Sequence, residues 1–470
     1  MLRALIEKEI RDLTGSTKFV YTFAVSAILI LLAFYSGAVG HKQNVERWEA
    51  SRAEALRELD GVTDWLRVNE HRIFLPPEPL AALVNGVSND VSTTTTVAGA
   101  GEVTSEDSRY NEEPIFAIFR FLDLGFIFQV VLSLFAILLG YDLISGEKER
   151  GTLRLCLSNA VSRPVFLLGK FIGSYAVLTV SLLIPLILGC LLLPILGVYL
   201  SNDEWLRLGV IVLCGLLFFG AFLSLAIFVS ASTRRASSSF LLLLVVWVGG
   251  VLILPQASVL LAGRAVEVPS VDEVGFMKAN YARELWKDYR DDMASFKGPQ
   301  GGEMDVLMAA FNAHMDSLTQ TRESKMSEFS SRVNEQRANR EDQRAAVALG
   351  LARVSPAVAL TLAITDLAGS SPDLKKEYYD QAMAYQPVLS DFLFEKTGIR
   401  VGQGMVVISQ EIGGEPPQPI DPSELPVFQF RQPSFDSLMA SALPDIGLLA
   451  LFNLFFFAAA VVAFNRYDPR

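Results

Sequence analysis

A short, densely charged stretch between two long apolar segments holds the residues best suited to chemistry. It runs from Asp142 to Pro164 and contains Glu147, Lys148, Glu149, Arg150, Arg154 and Arg163. A loop this charged, flanked by segments long enough to cross a bilayer, must face water, and its basic residues place it in the cytoplasm. Residues 152–157 have the pattern of an amphipathic helix at the membrane surface. The stretch is therefore a candidate docking surface for a soluble protein.

Sequence motifs typical of catalysis are missing from the chain. It has no Gly-x-x-x-x-Gly-Lys-Ser/Thr, the loop with which many proteins hold nucleotide phosphates. No Ser, His and Asp stand at the spacing of a hydrolase motif, and the three histidines are far apart, at His41, His71 and His314. The three cysteines avoid the long loops, so they predict no disulfide framework there. We expect a chain that is not itself an enzyme and holds no cofactor or metal.

Composition favours a membrane protein with sizeable water-facing parts. The chain has 470 residues, of which 51% are hydrophobic, and its mean hydropathy is +0.36, which is high for a soluble protein. Membrane lipids are therefore expected to surround it. The net charge of −11 argues against nucleic acid as a partner.

Six apolar stretches are long enough to cross a bilayer. They cover residues 19–39, 115–141, 165–199, 205–229, 240–262 and 446–464. Residues 1–18 are basic and amphipathic, which predicts an interfacial helix. Basic residues in this helix, in the loop 142–164 and in the tail 465–470 place both termini in the cytoplasm. A seventh span at 345–367 would place the C-terminus on the outer side of the membrane. The residues Arg353, Pro356 and Asp366 in this segment favour interfacial or buried helices instead.

Two insertions, residues 40–114 and 263–440, are then expected on the opposite, outer side. Apolar residues recur at helical spacing from Val274 to Phe296, and a glycine-rich turn follows. A heptad-like seam comes next, formed by Met304, Met308, Phe311, Met315 and Leu318. Methionines at this spacing without His or Cys favour packing over a copper site. The predicted fold is an all-α membrane protein with six transmembrane helices, an N-terminal interfacial helix and a mainly helical extracytoplasmic domain.

The charged stretch and the helix after it resemble a known family. The residues are Gly-Glu-Lys-Glu-Arg-Gly-Thr-Leu-Arg (146–154), Ser-Asn-Ala-Val-Ser-Arg (158–163) and Leu-Gly-Lys-Phe-Ile-Gly (168–173). They resemble the first cytoplasmic loop of type V ATP-binding-cassette (ABC) exporter permeases. The resemblance covers roughly the first 260 residues and the last span, and the insertion 263–440 departs from it. Large members linked to copper-enzyme maturation or gliding motility are similar in layout.

The resemblance implies that this loop carries the coupling helix that receives an ATPase subunit. Its candidate coupling residues here are Glu147, Lys148, Arg150, Gly151, Thr152 and Arg154. The alternative is an ordinary positively charged cytoplasmic loop. Two copies of a separate ATPase would bind ATP and Mg²⁺, and a second permease chain, identical or different, would complete the pore. Gly169 and Gly173 lie four apart on one helix face, which suits close helix packing within the chain.

Charges in the spans bear on the kind of transport. Asp142, Lys170, Arg207 and Asp445 all lie near span ends, whereas ion-coupled carriers need ionisable groups inside the membrane. We therefore expect the permease subunit of an ATP-driven exporter in a bacterial inner membrane, moving an amphipathic or lipid-like substrate. One alternative is a mechanotransmitter, in which ATP hydrolysis drives an envelope partner and no solute crosses. A second alternative is a structural or sensory membrane protein without an ATPase.

Overall fold

The computed structural model describes residues 2–68, 70–86, 93–99, 103–105, 123–153, 156, 162–297, 304–398 and 419–466. Six helices are long and apolar enough to cross a membrane: Thr17–Arg57, Leu124–Glu149, Arg163–Ile195, Asn202–Ser232, Ala236–Ala265 and Phe435–Asn465. The predicted all-α membrane protein with six spanning helices is thereby confirmed. The expected beginning of the second span, at 115, lies outside the described residues.

The helices are numbered here in chain order. The first part has α1 (Leu2–Thr14), α2 (Thr17–Arg57), α3 (Pro79–Leu83), α4 (124–140), α5 (Ser145–Glu149), α6 (Arg163–Ile195) and α7 (Asn202–Ser232). The second part has α8 (Ala236–Ala265), α9 (Val271–Ala294), α10 (Met304–Ala352), α11 (Pro356–Ala368), α12 (Leu374–Thr397) and α13 (Phe435–Asn465). Short 3₁₀ turns occur at Trp65–Arg67 and Pro422–Glu424.

Local sequence explains where several helices begin. Ser16 accepts a hydrogen bond from the backbone N–H of Phe19 and so caps α2. At the start of α7, Ser201 and Glu204 form a reciprocal capping box, with Ser201 N donating to Glu204 Oε2 at 2.6 Å. The helix α6 begins with Arg163-Pro164, where a missing N–H costs nothing.

Two spanning helices contain π-helical turns that the sequence did not indicate. They are Ile127–Leu132 in α4 and Val248–Ile253 in α8. A π turn changes the backbone hydrogen-bond pattern and leaves carbonyls open to other donors. The carbonyl of Gly250 accepts a hydrogen bond from Ser355 Oγ at 2.6 Å. The second π turn is thus a contact point between α8 and the large insertion.

The first insertion contains a small antiparallel sheet in the order β1-β2-β3. Its strands are β1 (Glu70–Phe74), β2 (Thr94–Ala98) and β3 (Thr104–Ser105), with Glu70 opposite Ala98 and Thr96 opposite Thr104. The polar composition of residues 88–109 predicts a loop or short hairpin there, and no sequence pattern predicted β1. The sheet packs on α12 of the second insertion, where Ile73, Val97 and Leu389 share one buried cluster. The two insertions therefore pack together, as expected.

The helices α9 and α10 form the predicted antiparallel hairpin, which we call the arm. The rings of Tyr281 and Phe329 stack with centroids 4.0 Å apart, and those of Phe296 and Phe311 meet edge to face at 5.4 Å. The heptad-like seam is only partly buried, because Met304 and Met308 are 71% and 59% exposed. One turn further on, Phe311 contacts Phe296 just beyond the end of α9, and Met315 contacts Tyr289 within α9.

The segment 345–367, which was considered above as a seventh span, forms the end of α10 and most of the short helix α11. With 13 residues, α11 rises about 20 Å, less than the ~30 Å of a bilayer core. It is buried against α7 and α13. At the turn before it, Arg353 forms a two-pronged ion pair with Asp445, at 2.8 and 3.0 Å. This segment is a buried helix and not a seventh spanning helix.

Candidate functional site

The charged loop after α4 is fastened to the end of α7. Ser230 Oγ accepts hydrogen bonds from the backbone N–H groups of Ile144 and Ser145, at 3.0 and 2.9 Å. Lys148 Nζ donates to the carbonyl of Thr233 at 2.9 Å and to that of Ala231. A lysine at the C-terminus of a helix satisfies carbonyls that have no partner within the helix. The helix α5 is thus held on the last turn of α7.

Two further contacts fix the loop at its flanks. A carboxylate oxygen of Glu149 accepts a hydrogen bond from the backbone N–H of Ala236, the first residue of α8, at 3.2 Å. On the other side, Asp142 pairs with Lys18 Nζ at 2.9 Å. The loop therefore contacts the ends of α2, α7 and α8 at one end of the bundle, which we call the loop end.

A buried ion cluster joins the loop to two more helices. Lys170 Nζ on α6 lies 2.7 Å from Glu147 Oε1 and 2.8 Å from Glu9 Oε2 on α1. Lys8 on α1 approaches Glu147 more loosely, at 3.8 Å. Burial raises the pKa of the Glu9 carboxyl above its ordinary value, and the neighbouring charge of Lys170 opposes that rise. With one central ammonium between two carboxylates, the cluster holds α1, α5 and α6 together.

Gly169 and Gly173 allow α1 to approach α6 closely enough for this cluster. A Cβ atom on Gly169 would lie 3.0 Å from the Cβ of Leu5, and one on Gly173 would lie 2.8 Å from the Cβ of Glu9. Side chains at these positions would push α1 away. The small-residue pair thus serves helix packing within the chain.

The structure divides five of the six candidate coupling residues into two sets. Glu147 is buried and Lys148 half-buried, and both hold the loop in place. Arg150, Gly151 and Thr152 are exposed. Gly151 has a φ of +74°, a backbone conformation that a side chain would strain. Arg154 lies outside the described residues, as do residues 155 and 157 of the amphipathic helix expected at 152–157.

Glu9, Lys170 and Ser230 are the loop-fixing residues that the sequence did not assign. Their partners are remote in sequence, so no local spacing could identify them. One signal was available: a lysine near the start of an apolar helix needs a partner or a route to water. By this rule, Lys170 required a carboxylate partner, but the sequence could not identify which carboxylate it is.

What the site offers chemically is a charged face on a base that is held by ion pairs and hydrogen bonds. Among the described residues no set of three or more His, Cys, Asp or Glu side chains could hold a metal ion. Glu149, Arg150, Gly151 and Thr152 project from a support fixed by ion pairs and hydrogen bonds. A face of this kind suits protein docking, and any movement of it would be passed to α1, α6, α7 and α8.

Comparison with known proteins gives two kinds of similarity. The sequence model of the family described as "ABC-2 family transporter protein" matches residues 3–468. The "Probable ABC transporter permease protein NosY" of Stutzerimonas stutzeri is 37% identical over 121 residues, which are 25% of this chain and 43% of that protein. The protein of the same name from Pseudomonas aeruginosa is 46% identical over 54 residues, 12% of this chain and 20% of that protein. The chain thus aligns with less than half the length of these relatives.

Proposed function

This chain belongs to the ABC-2 family of transporter proteins, a family of membrane permeases, and from that premise we propose that it is the permease subunit of an ATP-driven exporter in a bacterial inner membrane. Two separate ATPase subunits supply the energy, and a second permease chain completes the complex. Both termini and the charged loop lie in the cytoplasm.

The observation that carries this proposal is the division of the charged loop into a fixed base and an exposed face. Glu147 and Lys148 tie the base to α1, α6 and α7, while Arg150, Gly151 and Thr152 face outward. A docking element that transmits movement needs both parts, because a loosely held face would move without moving the spans. The exposed residues are therefore the proposed ATPase contact. The residues of the base pass the movement of the ATPase to the helices of the bundle.

The substrate class is proposed from the charges of the spanning helices. Asp142, Lys170 and Asp445 each have an ion-pair partner within the chain. Paired charges near helix ends leave no obvious path for a driving proton or sodium ion. An amphipathic or lipid-like substrate, moved at the cost of ATP, fits such spans best.

The arm supports a second candidate function, mechanotransmission. The helix α10 has 49 residues and so spans about 73 Å. At its bundle end, the turn after it is anchored by Arg353 to Asp445 of α13 and by Ser355 to Gly250 of α8. A movement of these two spanning helices would therefore shift the exposed arm. In that case the arm drives an envelope partner, and no solute crosses the membrane.

Reconstitution of the purified complex in vesicles tests the proposal. The chain is purified from its native host through a tag on the chain, so that any ATPase bound to it is purified with it. We expect the ATPase to co-purify and its turnover to depend on the chain. Movement of labelled lipid-like substrates that depends on ATP supports the exporter. ATP turnover that reshapes the arm without such movement supports the mechanotransmitter. A chain that retains no ATPase under any condition contradicts both.

A further inference from the structure

A cavity lies where the two insertions meet the end of the bundle opposite the loop end. Its wall is formed by Asn44 of α2, by residues 75–78, 81–82, 85 and 93 of the first insertion, by Arg207 of α7, and by residues from 366–377 and 430–441 of the second insertion. Its volume is about 100 Å³, which is room for several water-sized groups. Five separate parts of the chain thus build one site, which is open on one side.

The cavity wall carries four carboxylates and one guanidinium group. The acids are Glu78, Asp366, Asp373 and Glu377, and the base is Arg207. No part of the proposed docking mechanism uses these residues. The acids outnumber the single base, so the wall favours a ligand or counter-ion with a cationic group.

Arg207 differs from the other charged residues near span ends. Asp142, Lys170 and Asp445 each lie 2.7 to 2.9 Å from an oppositely charged atom. Arg207 is only 6% exposed, its Nε has no hydrogen-bond partner, and within the described part of the chain no carboxylate lies at ion-pair distance from it. A buried guanidinium N–H without an acceptor is costly, so this group is ready to receive an anionic oxygen.

Glu78 presents the opposite need in the same cavity. It stands at the N-cap position of α3 but makes no side-chain capping bond. Both of its carboxylate oxygens are buried and lack a hydrogen-bond partner. A carboxylate can only accept, and Arg207 can only donate. A ligand that carries both an anionic oxygen group and an N–H-bearing cation would satisfy both groups and compensate both charges.

The cavity opens at the level expected for lipid head groups. Ser437 and Ser441, on the first turns of α13, line it and are exposed. Tyr199 and Trp205, at the same end of the bundle as Arg207, are exposed as well. Exposed Tyr and Trp are typical of the membrane–water interface. At that level the most abundant anionic oxygens are those of phosphates.

We propose that this cavity binds a zwitterion with a phosphate and a primary ammonium group, the phosphate on Arg207 and the ammonium on Glu78. Phosphatidylethanolamine presents this chemistry as a head group, and phosphoethanolamine presents it as a free molecule. The three further carboxylates of the wall, Asp366, Asp373 and Glu377, favour the cationic end. A quaternary ammonium has no N–H to donate to Glu78, so choline head groups bind less well. This site is independent of the proposed function.

Lipid retention by the full chain tests the proposal. The protein is purified in detergent and mixed with equal amounts of phosphatidylethanolamine, phosphatidylcholine and phosphatidylglycerol, and retained lipid is counted by native mass spectrometry. We expect preferential retention of phosphatidylethanolamine. Glu78→Gln and Arg207→Gln each remove one charged hydrogen-bond partner and should weaken retention about tenfold. The matched controls Glu49→Gln and Arg264→Gln change exposed residues outside the cavity and should leave retention unchanged.

Thermal unfolding of the wild-type protein provides a second measurement that needs no variant. O-phosphoethanolamine should raise the unfolding temperature more than phosphocholine does. If O-phosphoethanolamine raises the unfolding temperature and also displaces the bound lipid, the lipid head group and the free molecule share the site. If it raises the unfolding temperature while no phosphatidylethanolamine is retained, the free molecule is the ligand. Equal retention of all three lipids by wild type and variants, with no thermal shift, would overturn the proposal and leave a cavity that holds only water.

Discussion

Lys170 and Glu147 form an ion pair of 2.7 Å that ties the charged loop to the helix following it. Both residues are buried, and Glu9 of α1 lies on the other side of the same ammonium at 2.8 Å. The loop is therefore a fixed part of the bundle. Three helices depend on one lysine for their mutual position at the loop end.

Lys170→Met should destabilise the protein strongly. It removes the counter-charge of the buried Glu9 and leaves Glu147 with only the looser contact of Lys8 at 3.8 Å. Breaking a buried ion pair in this way costs about 3–5 kcal/mol. We expect a clear drop in the thermal unfolding temperature of the detergent-purified protein. Lys375→Met, an exposed lysine on α12, is the control and should have little effect. Adding Glu147→Gln to Lys170→Met should recover part of the loss; an unchanged unfolding temperature in the single variant would contradict the cluster's role.

Arg150→Glu should release the ATPase without unfolding the chain. Arg150 is exposed and its Nε donates only to the nearby carbonyl of Gly146, at 3.1 Å, in the contacts of the described structure. We expect loss of co-purification and of chain-stimulated ATP turnover, with an unfolding temperature close to wild type. Arg264→Glu, the same charge reversal at the other end of the bundle, should retain both. An Arg150→Glu chain that binds and stimulates the ATPase normally would remove Arg150 from the docking face.

The sequence predicted those parts of the fold that depend on local pattern. Six apolar runs and a basic amphipathic start were enough for the spanning helices and α1, and regular apolar spacing was enough for the arm. Strand β1 was missed because its residues pair with β2 across a long connection. The charged loop could be identified from its density of charged residues. The sequence does not tell which of them, Glu147 or Arg150, is buried. Only the partners of Glu147 on α1 and α6 separate a buried anchor from an exposed contact, and those partners are remote in sequence.

The two insertions should be reachable from the same, outer side of the membrane. Four spanning helices, an even number, lie between the two insertions in the described part of the chain. The insertions also pack on each other through the sheet and α12. Single cysteines at Ser105 and Ser295, in a chain without its native cysteines, should both react with an impermeant thiol reagent added outside intact cells. Native Cys156, restored alone, lies within the charged loop and should be protected. Opposite reactivity of the two insertion sites would mean that the number of spans between them is odd.

Glu78 should make the stability of the ligand-free protein depend on pH. Burial raises its pKa to about 7 from an ordinary value of 4.5; Glu204 adds to the rise and Arg207 opposes it. Between these two pH values the folded protein binds more protons than the unfolded chain, so stability falls as pH rises through this window. Glu78→Gln should remove the effect and be the more stable protein at pH 8, by on the order of 3 kcal/mol.

The difference between wild type and Glu78→Gln should vanish below about pH 4, where the acid is protonated in both states. Comparing the two proteins cancels the titration of other groups, including the neighbouring Asp366, Asp373 and Glu377. Glu49→Gln, an exposed carboxylate changed in the same way, should follow the wild-type curve. Parallel curves for Glu78→Gln and wild type across the whole range would show that Glu78 titrates normally.

The arm should be removable without loss of the fold. From α9 to the middle of α10 the buried apolar side chains of the described residues are few, namely Val274, Leu285 and Val333. Tyr281 and Phe329 stack across the arm, so deleting 282–328 and joining the two by a short glycine linker leaves a closed hairpin. We expect an unchanged unfolding temperature, retained ATPase binding and loss of the function of the complex.

The shortened arm is a sharper test than removal of the whole segment 270–430. That larger deletion would also remove α11, whose Leu360 and Ala363 are fully buried in the bundle, and the Arg353–Asp445 ion pair. Its failure could reflect unfolding alone. With the shortened arm, the base of α10 and its contacts to α8 and α13 remain, so lost activity in a stable complex assigns the arm a role as gate or transmitter. Normal activity with normal ATP turnover would show that the spans work without it.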